Sequence, residues 1–96
     1  MNYNFEWDPA KARQNRKKHR VAFEEAATIF KDPRALSVYD DAHSAEEDRW
    51  VSLGFSSAGR LIAAHHTFEH VDDSTVRIRI FSARKATKHE AMQYQE

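Results

Sequence analysis

The run Val76-Arg77-Ile78-Arg79-Ile80-Phe81-Ser82 constrains this chain more than any other segment. β-Branched residues alternate with arginines at a period of two, which predicts a strand: Val76, Ile78 and Ile80 on one face, Arg77 and Arg79 on the other. The apolar set has to be covered, and helices are its expected cover. The arginines then stand on the open face, with Arg84 and Lys85 just beyond the strand end. A guanidinium matches phosphate in a two-bond fork, so an anion-binding surface is one reading. Pairing with acids of neighbouring strands, such as Glu47 or Glu69, is the other. Three arginines toward one end of one strand, in a chain with a basic first helix, favour the first.

Charge is unevenly spread although it sums to zero. Residues 1–34 carry eight basic and five acidic side chains, residues 35–75 two and eight, and residues 76–96 five and two. Lys11 to Arg20 alone holds six basic residues and no acidic one. That run reads either as a solvated helix face or as a phosphate-binding surface. The acidic stretch Asp40 to Asp48 suits solubility or a basic partner better than a polyanion. Without cysteine there is no disulfide, thiolate nucleophile or Cys-type zinc site. No apolar run approaches the roughly 18 residues a membrane span needs. The first residues also lack the basic-then-apolar order of a signal peptide. One small cytoplasmic domain over residues 1–96 is expected, with no membrane contact.

Phe5 and Trp7 alternate with polar residues and suggest a short opening strand. Asp8-Pro9 reads as an N-cap and first helical residue, opening a helix over about 9–19. Phe23, Ala26, Ala27 and Phe30 mark the apolar face of a second helix, closed by Asp32-Pro33. From Ala35 the period becomes two. Strands are expected near Leu36–Val38, Val51–Phe55, Leu61–Phe68 and Thr75–Ser82, with turns at Ser57-Ala58-Gly59 and Glu69–Ser74. Thr87-Lys88-His89-Glu90 has capping-box spacing and starts a last helix. The fold class is α+β: a short N-terminal strand, two helices, an antiparallel meander of three to four strands and a C-terminal helix. The helices are expected on one face of the sheet.

Six histidines raise the question of metal. His65 and His66 are adjacent on a strand and point to opposite faces, and His66 and His70 are not on a helix, so no shared ligand set is expected. His19 closes the basic helix, where the dipole favours a cation. No nucleophile elbow, Ser/His/Asp pattern or phosphate-cradling glycine loop is present.

Read together, the ordered motifs resemble the BrnT family, toxins of bacterial type II toxin–antitoxin systems with a RelE-like ribonuclease fold. The resemblance rests on Phe5-Glu6-Trp7-Asp8 with Lys11, Asn15 and Lys18-His19, then Phe23-Glu24-Glu25-Ala26, Phe30-x-Asp32-Pro33, Glu47-x-Arg49 and Gly54. It is strongest at Arg79-Ile80-Phe81-Ser82-Ala83-Arg84-Lys85-Ala86-Thr87, followed by Glu90 and Tyr94. Arg20 departs from it, standing where glycine is expected. A left-handed backbone there would cost about 1 kcal/mol. The longer turn at His70 to Ser74 is a second departure.

The resemblance implies a metal-independent endoribonuclease that needs no cofactor and inhibits translation. Attack by the 2′-hydroxyl on its own phosphodiester needs a proton acceptor, charge stabilisation at phosphorus and a proton donor. Arg79 and Arg84 are expected to stabilise the phosphorane, and Arg49 to line the same face. His19 or Glu69 would move protons. Lys17, Lys18, Arg77 and Lys85 would track the RNA backbone. A neighbouring antitoxin of the BrnA type, carrying a DNA-binding part, would neutralise the toxin, so that DNA is met only through the complex. A non-catalytic nucleic-acid-binding or partner-binding module is the alternative. An RNA-recognition surface would show aromatics stacked on the open sheet face, where Phe81 points.

Overall fold

Strand β1 (Asn2–Glu6) ends before Asp8, whose carboxylate accepts from the Ala10 amide at 3.0 Å, and Pro9 opens helix α1 (Pro9–His19). The computed structural model, which describes residues 1–95, continues with helix α2 (Phe23–Ala27) and a 3-10 turn over Thr28–Lys31. Strand β2 (Leu36–Tyr39), a second 3-10 turn (Asp41–His43), β3 (Arg49–Phe55), β4 (Leu61–Thr67), β5 (Glu69–Asp72) and β6 (Thr75–Lys85) follow, and helix α3 (Lys88–Gln95) closes the fold. The sheet order is β1-β6-β4-β3-β2, with β5 beside β6. All pairings are antiparallel except that of β1 with β6, so the sheet is mixed rather than a pure meander.

Four expectations change. Glu69–Ser74 is not a plain turn: its first half pairs with β6 as β5. Strand β6 runs through Lys85, so Arg84 and Lys85 belong to it. The second helix tightens after Ala27, and at three residues per turn Phe23, Ala26 and Ile29 all reach the core while Phe30 is only half-buried. Finally, the helices do not share one face. Ile62, Ala64, Ile78 and Ile80 join Val21, Phe23, Ala26 and Ile29 in the core under α1 and α2. Leu53 and Ala63 point the other way, are also buried, and lie on the face where Tyr94 of α3 packs on Phe55 with ring centres 5.4 Å apart. Each fully buried Ile or Phe contributes about 1.5–3 kcal/mol, so the α1/α2 side carries most of the stability.

Helix α1 adds little apolar surface. Its one buried residue is Asn15, which completes the edge of β6 where β1 has ended: the amide donates to Ala83 O at 2.8 Å and accepts from Ala83 N at 3.0 Å. A third bond, to Val21 O at 3.0 Å, ties down the chain reversal. These bonds satisfy backbone groups that would otherwise be buried and unpaired. Arg20 sits at that reversal with φ 59°, the left-handed position where glycine was expected. Gly54 is required by proximity, since a Cβ there would come within 3.0 Å of Ile29 Cβ and O. At the other end, Thr87 and Glu90 form the expected capping box, with bonds of 2.8 and 3.1 Å.

Candidate active site

A β-bulge in β6 builds the site. Ile80 lies opposite His66 and Ser82 opposite His65, leaving Phe81 as an extra residue. Without it, strict alternation would send Arg84 to the core face beside Ile78 and Ile80 and turn Ala83 outward. With it, Ala83 is fully buried and Arg84 joins Arg79 on the α3 face. Bulges commonly re-aim a side chain in this way.

Three aromatic–cation contacts converge on the bulge. The Arg49 guanidinium lies 4.2 Å from the Phe81 ring centre, that of Arg79 4.9 Å, and Lys11 Nζ 5.8 Å. Each is within cation–π range. Phe81 does point to this face, but arginines occupy its surroundings, so it is no bare platform for a base. Glu47 closes the cluster: Arg79 Nη2 donates to both of its carboxylate oxygens, at 2.7 and 2.9 Å, and Arg49 Nη2 to one at 3.3 Å. The Arg49 Nε–H is buried with no acceptor. An orphaned donor costs about 1–3 kcal/mol, a sign that Arg49 is placed here for something other than stability.

The acidic stretch therefore does not stand apart from the arginines. The Asp40 amide donates to Arg49 O at 2.8 Å, and Ser44 Oγ accepts from the Arg49 amide at 3.0 Å. These bonds fold residues 40–48 over the end of β3 and bring Asp40, His43 and Glu47 to the rim.

Three depressions surround the cluster. One of about 330 Å³ is lined by Glu6, Glu47, Thr67, Glu69, Arg77 and Arg79. A second, about 200 Å³, is lined by Asp40, His43, Arg49, His65, Phe81 and Ser82. A third, about 280 Å³, runs along α1 between Lys11, Gln14, Asn15, Lys18, His19, Phe81 and Ser82. The residues expected to act together are thus brought together only in part. Arg49 and Arg79 share one carboxylate. Glu69 is exposed in the first depression and pairs with Arg77 at 2.8 Å, and His19 lies in the third, across Phe81. Lys18 lines that groove, while Lys17 is exposed and does not. Lys85 follows Arg84 and so points to the opposite face, at an exposed strand end.

Arg84 makes a true fork, Nη1 and Nη2 each donating to one carboxylate oxygen of Glu90 in α3, at 2.7 and 3.0 Å. That guanidinium and the Thr87 amide hold the Glu90 carboxyl at about 2. Arg84 is raised in turn, first by its bond to Glu90. His65, half-buried on the same face, is pushed below its ordinary value by desolvation and then by Arg84. His66 points the other way, as the strand reading requires. It is fully buried, with Nε2 2.6 Å from Ser52 Oγ and Nδ1 2.7 Å from Thr67 O. Sequence reasoning passed over His43 and His65, and only the strand register and the folded loop show that they share a depression. Among the described residues, no three His, Asp or Glu side chains converge as a metal-binding group.

A mixed sheet with α1 and α2 on one face and an arginine-lined, aromatic-backed cleft on the other defines a small α+β protein with a cationic site. The chain belongs to the BrnT family, the ribonuclease toxins of type II toxin–antitoxin systems, whose family model matches residues 7–90. Membership implies an RNA target and an antitoxin partner. Among solved structures the chain is similar to the Brucella abortus ribonuclease toxin BrnT, known from a crystal structure at 1.1 Å. The TM-score is 0.59 at 20% identity, covering 92% of this chain and 100% of that one. At that identity the likeness shows the shared fold. No curated protein sequence matches the chain. No helix is long and apolar enough to cross a membrane among the described residues.

Proposed function

We propose that this chain is a metal-independent endoribonuclease on a RelE-like plan, cutting cytoplasmic RNA by 2′-hydroxyl attack and so inhibiting translation. The observation that carries the reading is the Glu47 carboxylate held jointly by Arg79 and Arg49. A carboxylate bound through one guanidinium nitrogen from each of two arginines stands where the oxygens of a scissile phosphodiester can be received. Substrate takes that place, Glu47 moves aside, and the two cations meet the charge that grows at phosphorus. Arg84, committed to Glu90, adds a fixed positive charge beside His65. Arg77 and Lys18 follow the RNA backbone, which makes affinity fall with salt. Lys17, outside the groove, and Lys85, on the opposite face, serve only RNA that extends past the sheet edge. An antitoxin of the BrnA type neutralises the toxin by covering the Arg79 face, and its own DNA-binding part carries the complex to DNA.

The test uses partner-free protein in excess EDTA, with naked RNA and with RNA on ribosomes. Cleavage by the parent and a loss of about 100-fold or more in Arg79→Ala and Arg49→Ala, the scale of removing one oxyanion-type donor, is expected. Intact RNA in both preparations overturns the reading.

A further inference from the structure

The depression of about 200 Å³ beside Arg49 holds two histidines in unlike settings. His43 ends the 3-10 turn after Asp40, and its Nδ1 lies 2.9 and 3.1 Å from the two Asp40 carboxylate oxygens. That bond fixes the ring's tautomer and leaves Nε2 as the nitrogen without a partner. The ring itself is 68% exposed, whereas the Asp40 side chain is 16% exposed. An anchored acid therefore presents an accessible imidazole. His65 comes from the middle of β4, with Val51 and Ser82 as its cross-strand neighbours. Neither of its ring nitrogens bonds to a described residue.

The groups acting on His65 come from every side. Desolvation and Arg84 of β6 hold it toward the neutral form, as does His43, while Asp40 and Glu90 of α3 work against them. A neutral imidazole accepts a proton, and an exposed imidazole anchored on a carboxylate through Nδ1 has Nε2 free to meet a second oxygen. Cleaving RNA through its own 2′-hydroxyl needs a proton acceptor and a proton donor, on either side of the phosphate.

Resting on the ribonuclease reading above, we infer that His65 and His43 are the proton-transfer pair of the cleavage, with His65 as base and His43 as acid. His65 takes the 2′-hydroxyl proton as the O2′–P bond forms. The P–O5′ bond breaks, and the 5′-oxygen takes its proton from the His43 imidazolium. The products are a 2′,3′-cyclic phosphate and a 5′-hydroxyl, and the two rings end with their protonation states exchanged. Arg49, lining the same depression, holds the phosphate between them.

The experiment compares the parent with His65→Ala, His65→Gln, His43→Ala, His19→Ala and Glu69→Gln on two RNA oligonucleotides. One is ordinary, and the other carries sulfur in place of the bridging 5′-oxygen, a leaving group that needs no proton. His65→Gln fills the space of the ring, and circular dichroism checks that every variant is folded. On ordinary RNA both histidine sites are expected to cost about 100- to 10,000-fold, the usual contribution of a positioned acid or base. On the sulfur substrate His43→Ala recovers to within a few-fold of the parent, and the His65 variants do not. The parent's rate falls on an acid limb that lies below the ordinary imidazole range, as the lowering of His65 requires, and that limb is absent in the His65 variants. Parental rates in both histidine variants, rescue of neither, or the loss appearing instead in His19→Ala or Glu69→Gln overturns the pair while leaving the ribonuclease reading intact. Where the parent cuts RNA only on ribosomes, the same variants are compared there, and no loss at either histidine overturns the pair. No cleavage by the parent of either oligonucleotide or of RNA on ribosomes overturns that reading, and the pair with it.

Discussion

Two arginine–glutamate pairs stand on one face of β6, and they differ in what holds the acid. One is a two-nitrogen fork from Arg84, and the other is made by Arg79 through Nη2 alone. Glu90 is fixed three times over: by Arg84, by its place in helix α3 and by the Thr87 amide of the capping box. Its side chain is 17% exposed and that of Arg84 30%. Glu47 comes from a loop, is 36% exposed, and is shared between two arginines. The first joins helix to sheet. The second is a pair of cations whose present anion is easily exchanged. An arginine on a strand therefore says little about its role until the anchorage of its acid is known.

The largest test of that contrast is to remove each acid. Glu90→Ala is expected to cost about 2 kcal/mol, through the lost hydrogen bonds from Arg84 and the broken capping box. Glu47→Gln should cost under about 0.5 kcal/mol, as for an exposed ion pair, while tightening binding of a 2′-O-methyl RNA that cannot react. Urea denaturation and a binding titration read the two effects. Equal stability losses would erase the distinction.

A smaller effect probes the other attachment of α3. The Tyr94 hydroxyl donates to Asp32, which also accepts from the Phe55 amide at 2.9 Å. Tyr94→Phe should cost about 1 kcal/mol in denaturation and leave binding at the Arg79 site unchanged. A change in RNA binding would mean that the two ends of the face are coupled.

The smallest effect lies in pH. Glu90 sits at about 2 in the folded protein against an ordinary 4.5. A lowered carboxyl contributes stability that is complete above pH 4.5 and is lost as pH falls toward 2. Screening of a partly exposed pair keeps that share under about 1 kcal/mol. The midpoint of thermal unfolding should therefore fall less steeply across that window in Glu90→Gln than in the parent. Identical slopes would assign the acid sensitivity to other groups, Asp32 first among them, since its bond from Tyr94 also lowers it.

Local signals in the sequence were legible where a few neighbouring residues decide the outcome. Asp8-Pro9, the capping box at Thr87–Glu90 and the alternation of Val76, Ile78 and Ile80 each act within one turn or one strand. The bulge was not legible, because Phe81 fits either parity and only the pairing with His65 and His66 settles which residue is extra. Helix α3 has one buried residue, Tyr94, too little to declare which face of the sheet it covers. His43 and His65 meet because β3 pairs with β4 while Ser44 folds the preceding loop back. That is long-range geometry without a local motif. Of the expected site residues, Arg49, Arg79 and Arg84 share a face, whereas His19 and Glu69 fall on either side of it.

The bulge also makes chain length a functional quantity. A substitution at Phe81 changes one side chain, but losing any single residue between Ile80 and Ala83 would restore plain alternation. Ala83 would still face the core and Arg84 the open side, so the loss would fall on the site itself, where the bulge sets Phe81 and Ser82 together on the open face between Lys11 and Arg49. Turns elsewhere, such as Asp72–Ser74, have room to lengthen or shorten without touching that face. Counting residues across this short stretch is therefore as informative as reading them.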